Sequence, residues 1–385
     1  MLAPPISAEA QSLLALGESL TDRGDYSAAE IAFRQILISP DSTTVEQKAA
    51  LIGYARMFRR QGTHTKAAAI YEKYLKDYPD DAHVPDVLLD LGRTLRAMGA
   101  HRLAVSRFYS VINSTLKLPP HGFDHYQLLA KTAQFEIAET YFESGNFAEA
   151  EKFFARLRLL DLAPVDRARA HFKSGYAAVL GGELDQAVKI MRLFLEQWPR
   201  DENVPEARYL LATSLRQLRR VDEALAVTLE LLRNQQAQSD ADPRKWAYWQ
   251  RRTGNQLANE FFHIGETSHA LAIYQGLVAL ADDPAWRLPV LYQIALCYER
   301  LRTLDRARET YQAIVDGAKA GTNAELNELA KMAAWRMNNM SWNDKTERQL
   351  TEFFSTAENS DPKPAPPPAT PHDASASPAA PPKAL

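Results

Sequence analysis

The 385-residue chain has a single cysteine, Cys297, which excludes an internal disulfide and a cysteine-built zinc or iron–sulfur centre. No run reaches the roughly 18 apolar residues that span a bilayer, so no transmembrane segment is expected. Neither sign of charge prevails: 45 Lys and Arg stand against 48 Asp and Glu, and a net charge of −3 gives no overall pull towards nucleic acid. The short signatures of chemistry are also missing. There is no glycine-rich phosphate loop, no HExxH, no CxxC and no GxSxG. No catalytic residue, cofactor or metal is therefore expected, and the chain reads as a non-enzyme. His121 and His125 flank Asp124, but two histidines are too few for a metal site and read as surface groups.

What the chain has in quantity is repetition. Turn positions fall at Gly24, Gly62, Gly99, Gly145, Gly182, Arg219, Gly265 and Arg302, mostly 37 residues apart and twice 46. Five positions after each stands alanine: Ala29, Ala67, Ala104, Ala150, Ala187, Ala224, Ala270 and Ala307. Seven before each is another small residue, such as Gly17, Ala55 or Gly92. Nine after it comes a bulky one, such as Phe33, Tyr71 or Phe108. Two antiparallel helices approach closely only where the facing stripe is small, and the bulky residues fill the gaps around it. Glycine in the turn supplies the left-handed conformation that ends the first helix. Pro40, Pro79, Pro164 and Pro199 read as stops for second helices.

This order resembles the tetratricopeptide repeat (TPR) over roughly Ser7 to Gly317. The resemblance implies an all-α, right-handed solenoid of about eight helix-turn-helix repeats with a C-terminal capping helix. Two features depart from the pattern. The period is longer than the family's, and Arg219 and Arg302 replace the turn glycine, which points to a different cap there. Tyr78-Pro79-Asp80-Asp81 and Trp198-Pro199-Arg200-Asp201 resemble linkers of the bacterial cell-envelope branch, of the Tol-Pal coordinating protein and outer-membrane assembly lipoprotein type. No lipidation cysteine stands at the N-terminus, which departs from a lipoprotein. The lead MLAPPISAEAQ lacks the regions of a signal peptide and resembles the start of a mature chain from which one has been cleaved. Periplasm or envelope is expected if an upstream signal was removed, and cytoplasm otherwise.

The two longer spacings carry inserts at 118–127 and 239–250, read as first helices lengthened by about two turns and capped by Asp124 and Asp242. In Pro243–Arg252 the pattern places Trp246 and Trp249 against repeat 6, with the arginines solvated. The layout is a short lead at 1–6, repeats at 7–317, capping helices within 322–357 (amphipathic over Asn323–Asn338, then Thr346–Thr356), and a disordered Pro/Ala-rich tail at 358–385. Pro364-x-x-Pro367 in that tail suits polyproline recognition, though a spacer is the plainer reading.

In the family, residues about six, three and two before the turn line the groove. The matching positions here are Arg56, Arg59, Arg60, Arg93 and Arg96, then Glu139, Phe142 and Glu143 with Phe135 nearby. They continue with Phe172 and Tyr176, then Asn255, Asn259, Phe262 and His263. Arginine clusters favour carboxylates and aromatics supply anchoring area. The expected partner is thus a protein or peptide with an acidic portion. The expected role is a non-enzymatic scaffold in a bacterial envelope complex, with a cytoplasmic adaptor and a polysaccharide- or peptidoglycan-docking domain as rivals. Replacing Arg56, Arg59 and Arg93 by Glu is expected to abolish capture without loss of helix.

Overall fold

A computed structural model describes residues 6–115, 123–233, 242–319 and 323–360. Among the described residues there are seventeen helices and no strands. The chain forms two compact units, Met1–Leu280 and Ala281–Leu385.

In the first unit, seven helix pairs succeed one another. Repeats 1 to 3 are α1 (Ala8–Arg23) with α2 (Tyr26–Ile38), α3 (Thr44–Arg60) with α4 (His64–Asp77), and α5 (Val84–Ala97) with α6 (His101–Thr115). Repeats 4 and 5 are α7 (Phe123–Glu143) with α8 (Phe147–Leu157), and α9 (Pro164–Leu180) with α10 (Leu184–Gln197). Repeats 6 and 7 are α11 (Val204–Gln217) with α12 (Val221–Leu232), and α13 (Pro243–Ile264) with α14 (Thr267–Val278). Each helix packs on the next in sequence, and successive first helices also touch, as α1 does α3 and α11 does α13. The repeat alanines are fully buried from Ala29 to Ala270, and the bulky partners Phe33, Tyr71, Phe108 and Phe154 fill the space beside them. The second unit holds repeat 8, α15 (Pro284–Arg300) with α16 (Leu304–Lys319), and one 37-residue helix, α17 (Ala324–Ser360).

All eight turn positions have positive φ, the two arginines included: Gly62 lies at 83°, Arg219 and Arg302 at 59°. The expectation of a different cap at the arginines is corrected. At Arg219 the N–H donates to the Arg216 carbonyl and the next N–H to that of Leu215, at 2.9 Å each. The same pair at Gly62 joins it to Arg59 and Thr63 to Phe58. This is the Schellman closure. An added Cβ meets nothing within 4 Å at Gly62, so only backbone strain resists a side chain there, and the arginines accept that strain.

Other expectations shift at element ends. Pro40, Pro79 and Pro199 come after the ends of α2, α4 and α10, but Pro164 opens α9 in its first turn. Asp242 caps α13, accepting from the Arg244 N–H at 2.7 Å, whereas Asp124 lies inside the first turn of α7. Helices α7 and α13 have 21 and 22 residues against 14 in α5 and 17 in α3, an extension of one to two turns. Residues 118–122 and 239–241 of the inserts lie outside the described residues, as do His121 and the tail from Asp361. The two separate helices read within 322–357 are one continuous helix, α17.

Candidate functional site: the first-helix face of repeats 2 to 7

The predicted arginines do not stand free. Arg56 on α3 donates from Nε to Asp90 of α5 at 2.9 Å, and Arg59 lies 3.5 Å from the same carboxylate. One repeat on, Arg93 and Arg96 of α5 each reach Glu136 of α7 at 2.7 Å, and Arg96 lies 3.4 Å from Glu143. Arg60 pairs with Asp22 of α1. Asp90 is only 8% exposed in its side chain, so it is an internal partner for these arginines. A positional rule emerges. The residue six before one turn meets the residue nine before the next: Arg56 with Asp90, Arg93 with Glu136, and, with signs reversed, Glu139 with Lys173 at 3.2 Å. The predicted basic stretch is thus largely an inter-repeat ladder in which each side chain holds its neighbour.

The middle of the face is aromatic. Phe142 meets Tyr176 edge-on at 5.5 Å, and Lys173 sits 4.7 Å over the Phe142 ring. Glu139 is held by Arg169 at 3.1 Å as well as by Lys173. Phe135 lines a cavity of about 520 Å³ together with Arg93, Leu128, Thr132 and Glu136. Phe172 is 5% exposed against Phe194 and offers a partner little surface. In repeat 7, Asn259 accepts from the Tyr274 hydroxyl at 2.5 Å, Phe262 is half-buried beside His263, Asn255 is half-buried and His263 is exposed. The predicted residues therefore share one face in runs, and their charges are mostly matched within the protein.

A cluster at repeats 6 and 7 falls outside the family's groove positions. Tyr209 of α11 stacks near Trp249 of α13 at 5.0 Å, with Tyr248 at 5.1 Å from the Trp249 ring. The Arg252 guanidinium lies 5.3 Å from the Tyr209 centroid, 5.4 Å from Trp249 and 5.8 Å from Tyr248, and donates to the Tyr248 hydroxyl. Among the described residues no carboxylate pairs with Arg252, unlike the ladder arginines. Nearby Glu206 is half-buried, and burial pushes its carboxyl above the usual range against the pull of Lys245, Lys173 and Arg252. The run Pro243–Arg252 signals this platform in sequence, but the contribution of Tyr209 from the preceding repeat does not show there. Trp246 is 2% exposed, so the inner tryptophan is closed to any ligand.

The remaining features are structural. Asp81 in the Tyr-Pro-Asp-Asp linker accepts from Lys48 at 2.6 Å, Tyr74 at 2.8 Å and the His83 N–H at 2.9 Å. Its counterpart Asp201 accepts from the Asn203 N–H at 2.8 Å. His125 lies 3.3 Å from Asp86. Among the described residues no three His, Cys, Asp or Glu side chains gather as metal ligands, and no helix is long and apolar enough to cross a membrane.

These observations define an all-helical tandem-repeat protein in which the first helices of repeats 2 to 7 present a partly aromatic face. Parts of its repeat array match the tetratricopeptide repeat. The family model for the tetratricopeptide repeat matches residues 14–82 and 135–202, and a second tetratricopeptide-repeat model matches residues 290–316. No curated protein matches the chain. Among solved structures it is similar to a tetratricopeptide repeat protein from Parabacteroides merdae, at 15% identity over 85% of this chain and 100% of that one, with a TM-score of 0.40. The apo quorum sensor NprR from B. thuringiensis is 15% identical over 81% and 89% of the two chains, with a TM-score of 0.45. A putative kinesin light chain from Podosopora anserina with nearly identical TPR-like repeats is 16% identical over 50% and 97%, with a TM-score of 0.41. Tetratricopeptide repeats generally serve as scaffolds for protein–protein contact.

Proposed function

We propose that this chain is a non-enzymatic scaffold whose first-helix face holds an extended or helical segment of a protein partner, and that the segment carries a carboxylate seated on Arg252. The observation that carries this reading is the contrast among the arginines of the face. Arg56, Arg59, Arg93 and Arg96 already have carboxylate partners, whereas Arg252 is held on three aromatic faces without one among the described residues. An arginine fixed by stacking loses little side-chain freedom on binding and keeps its donors for a planar acceptor. Tyr248, 51% exposed, and Trp249 offer apolar area beside the charge. The cavity at Phe135 and the ring of Tyr176 extend the same face towards repeat 4.

A cell-envelope setting belongs to this proposal and rests on the two aromatic-Pro linkers. Their aspartates also act as local caps, a need that any repeat pair of this geometry shares. Fractionation of the native host with an antibody to the chain tests the setting.

The binding reading is tested on an immobilised peptide library in which each Asp- or Glu-bearing segment is paired with its Asn or Gln counterpart. The wild-type chain is expected to favour the acidic members, and Arg252→Glu to lose that preference while keeping its helical circular dichroism. Equal retention on both members of each pair overturns the proposal.

A further inference from the structure

Only the first part of α17 is covered. Leu326, Leu329, Ala330, Ala333, Met337 and Met340 pack with α15 and α16. At 100° per residue these six lie on one side of the helix. Met332, Trp335, Trp342 and Leu350 are 51%, 63%, 66% and 50% exposed, and they fall within an arc of about 80° on the far side. With Asn339 and Thr346 they make a line at steps of three and four residues that carries no charge over about 27 Å of helix. A solvated face would be charged. A narrow apolar line at this spacing is the seam of a helix pair. Beside its N-terminal end a cavity of about 520 Å³ opens between Tyr292, Lys331, Met332, Trp335 and Arg336, with room for a side chain from a facing helix.

We propose that α17 is a self-association helix, its seam packing on the same seam of a second copy of this chain in a two-fold pair. The occupant is a second copy because a two-fold pair brings identical surfaces together, so one uncharged seam supplies both halves of the interface. The area also suffices. Two tryptophans exposed by about two-thirds, with half of Met332 and Leu350, leave on the order of 500 Å² per copy. Pairing then buries up to about 1,000 Å², the lower bound for a specific interface. The uncharged line offers nothing to a charged ligand.

Sedimentation equilibrium of the full chain at micromolar concentration tests this, and a dimer is expected. Trp335→Ala and Trp342→Ala should each weaken association roughly 30-fold, as buried tryptophan anchors do. Asn339→Cys supplies an independent reading that disturbs no core residue. With Cys297 buried, the introduced thiol should link two chains under mild oxidant. A monomeric wild-type chain overturns the proposal, including one that stays monomeric while binding phosphatidylcholine vesicles. So does a dimer unaffected by both tryptophan variants and without an Asn339→Cys crosslink.

Discussion

Arg56 donates from Nε to Oδ2 of Asp90 at 2.9 Å across the boundary between repeats 2 and 3. Asp90 serves Arg59 as well and lies 3.9 Å from Arg93, so one largely buried carboxylate faces three guanidiniums. Removing it takes the carboxylate from Arg56 and Arg59 and leaves Arg93 with Glu136 alone, three like charges near one another. Asp90→Ala is expected to cost about 2–4 kcal/mol in urea unfolding, whereas Arg56→Ala, whose side chain is half exposed, should cost under about 1 kcal/mol. The same logic governs Arg93 and Glu136. Reversing Arg93 to Glu should destabilise, and adding Glu136→Arg should recover part of the loss. Replacing Arg56, Arg59 and Arg93 by Glu together therefore tests stability first and binding second.

The repeat was legible in sequence because its geometry constrains single positions. A helix pair has one place for a buried alanine and one for a left-handed turn, and both recur eight times. The ladder was not legible, because its partners lie 34 and 43 residues apart and because either sign of charge satisfies the contact. Arg56 and Arg93 show in sequence as basic residues on one face, while Asp90 and Glu136 show as acids elsewhere. Only the stacking of first helices brings six-before against nine-before. The Arg252 platform was half legible for a similar reason: its run is local, but Tyr209 comes from the preceding repeat.

Arg219 and Arg302 hold φ of 59° at turns where the other six repeats have glycine. A left-handed residue with a Cβ costs roughly 1 kcal/mol that glycine avoids. Arg219→Gly and Arg302→Gly are each expected to raise stability, less whatever glycine adds to the entropy of the unfolded chain. A net gain of up to about 0.5 kcal/mol should appear as a higher urea midpoint at unchanged slope. Gly62→Ala, the reverse change, should lower the midpoint even though the added methyl meets no neighbour.

Phe33 is pinned between two glycines on different first helices. A Cβ on Gly17 would lie 2.7 Å from its ring, and one on Gly53, in the next repeat, 2.5 Å. Both distances are shorter than carbon atoms tolerate, and Phe33 is buried with no room to withdraw. Gly53→Ala is expected to cost about 1–3 kcal/mol by overpacking, despite the better helix propensity of alanine. In Phe33→Leu the same glycine change should cost much less. A double-mutant cycle by chemical denaturation measures the coupling, and a value near zero would remove Phe33 from its role as the joint between repeats 1 and 2.

His171 on α9 is 1% exposed, packs edge-on against Phe194 at 5.7 Å, and accepts at Nδ1 from the Trp198 indole N–H at 3.3 Å. Burial, aided by the charge of Arg158, pushes its pKa down from 6.5 to about 4. The neutral ring is the folded form, and protonation at Nδ1 would remove the acceptor that Trp198 uses. As pH falls, the unfolded chain takes up this proton first, near its ordinary pKa. Stability from His171 is therefore complete above about pH 6.5 and is lost progressively down to about pH 4, a change on the order of 3 kcal/mol. Glu46 and Glu223, whose carboxyls are lowered to about 2 by hydrogen bonds led by Ser7 and by Arg220 respectively, lose their contributions only below about pH 4.5. Between pH 6.5 and 4.5 the histidine is opposed by Glu206, whose raised carboxyl takes up its proton in the folded chain first and so adds stability as pH falls; the difference between wild type and His171→Phe isolates the histidine. Unfolding free energies measured across this interval should fall more steeply in the wild type than in His171→Phe, whose absolute stability will be lower through the unpaired Trp198 indole. Equal slopes in the two proteins would mean that His171 titrates in the folded chain as freely as in the unfolded one.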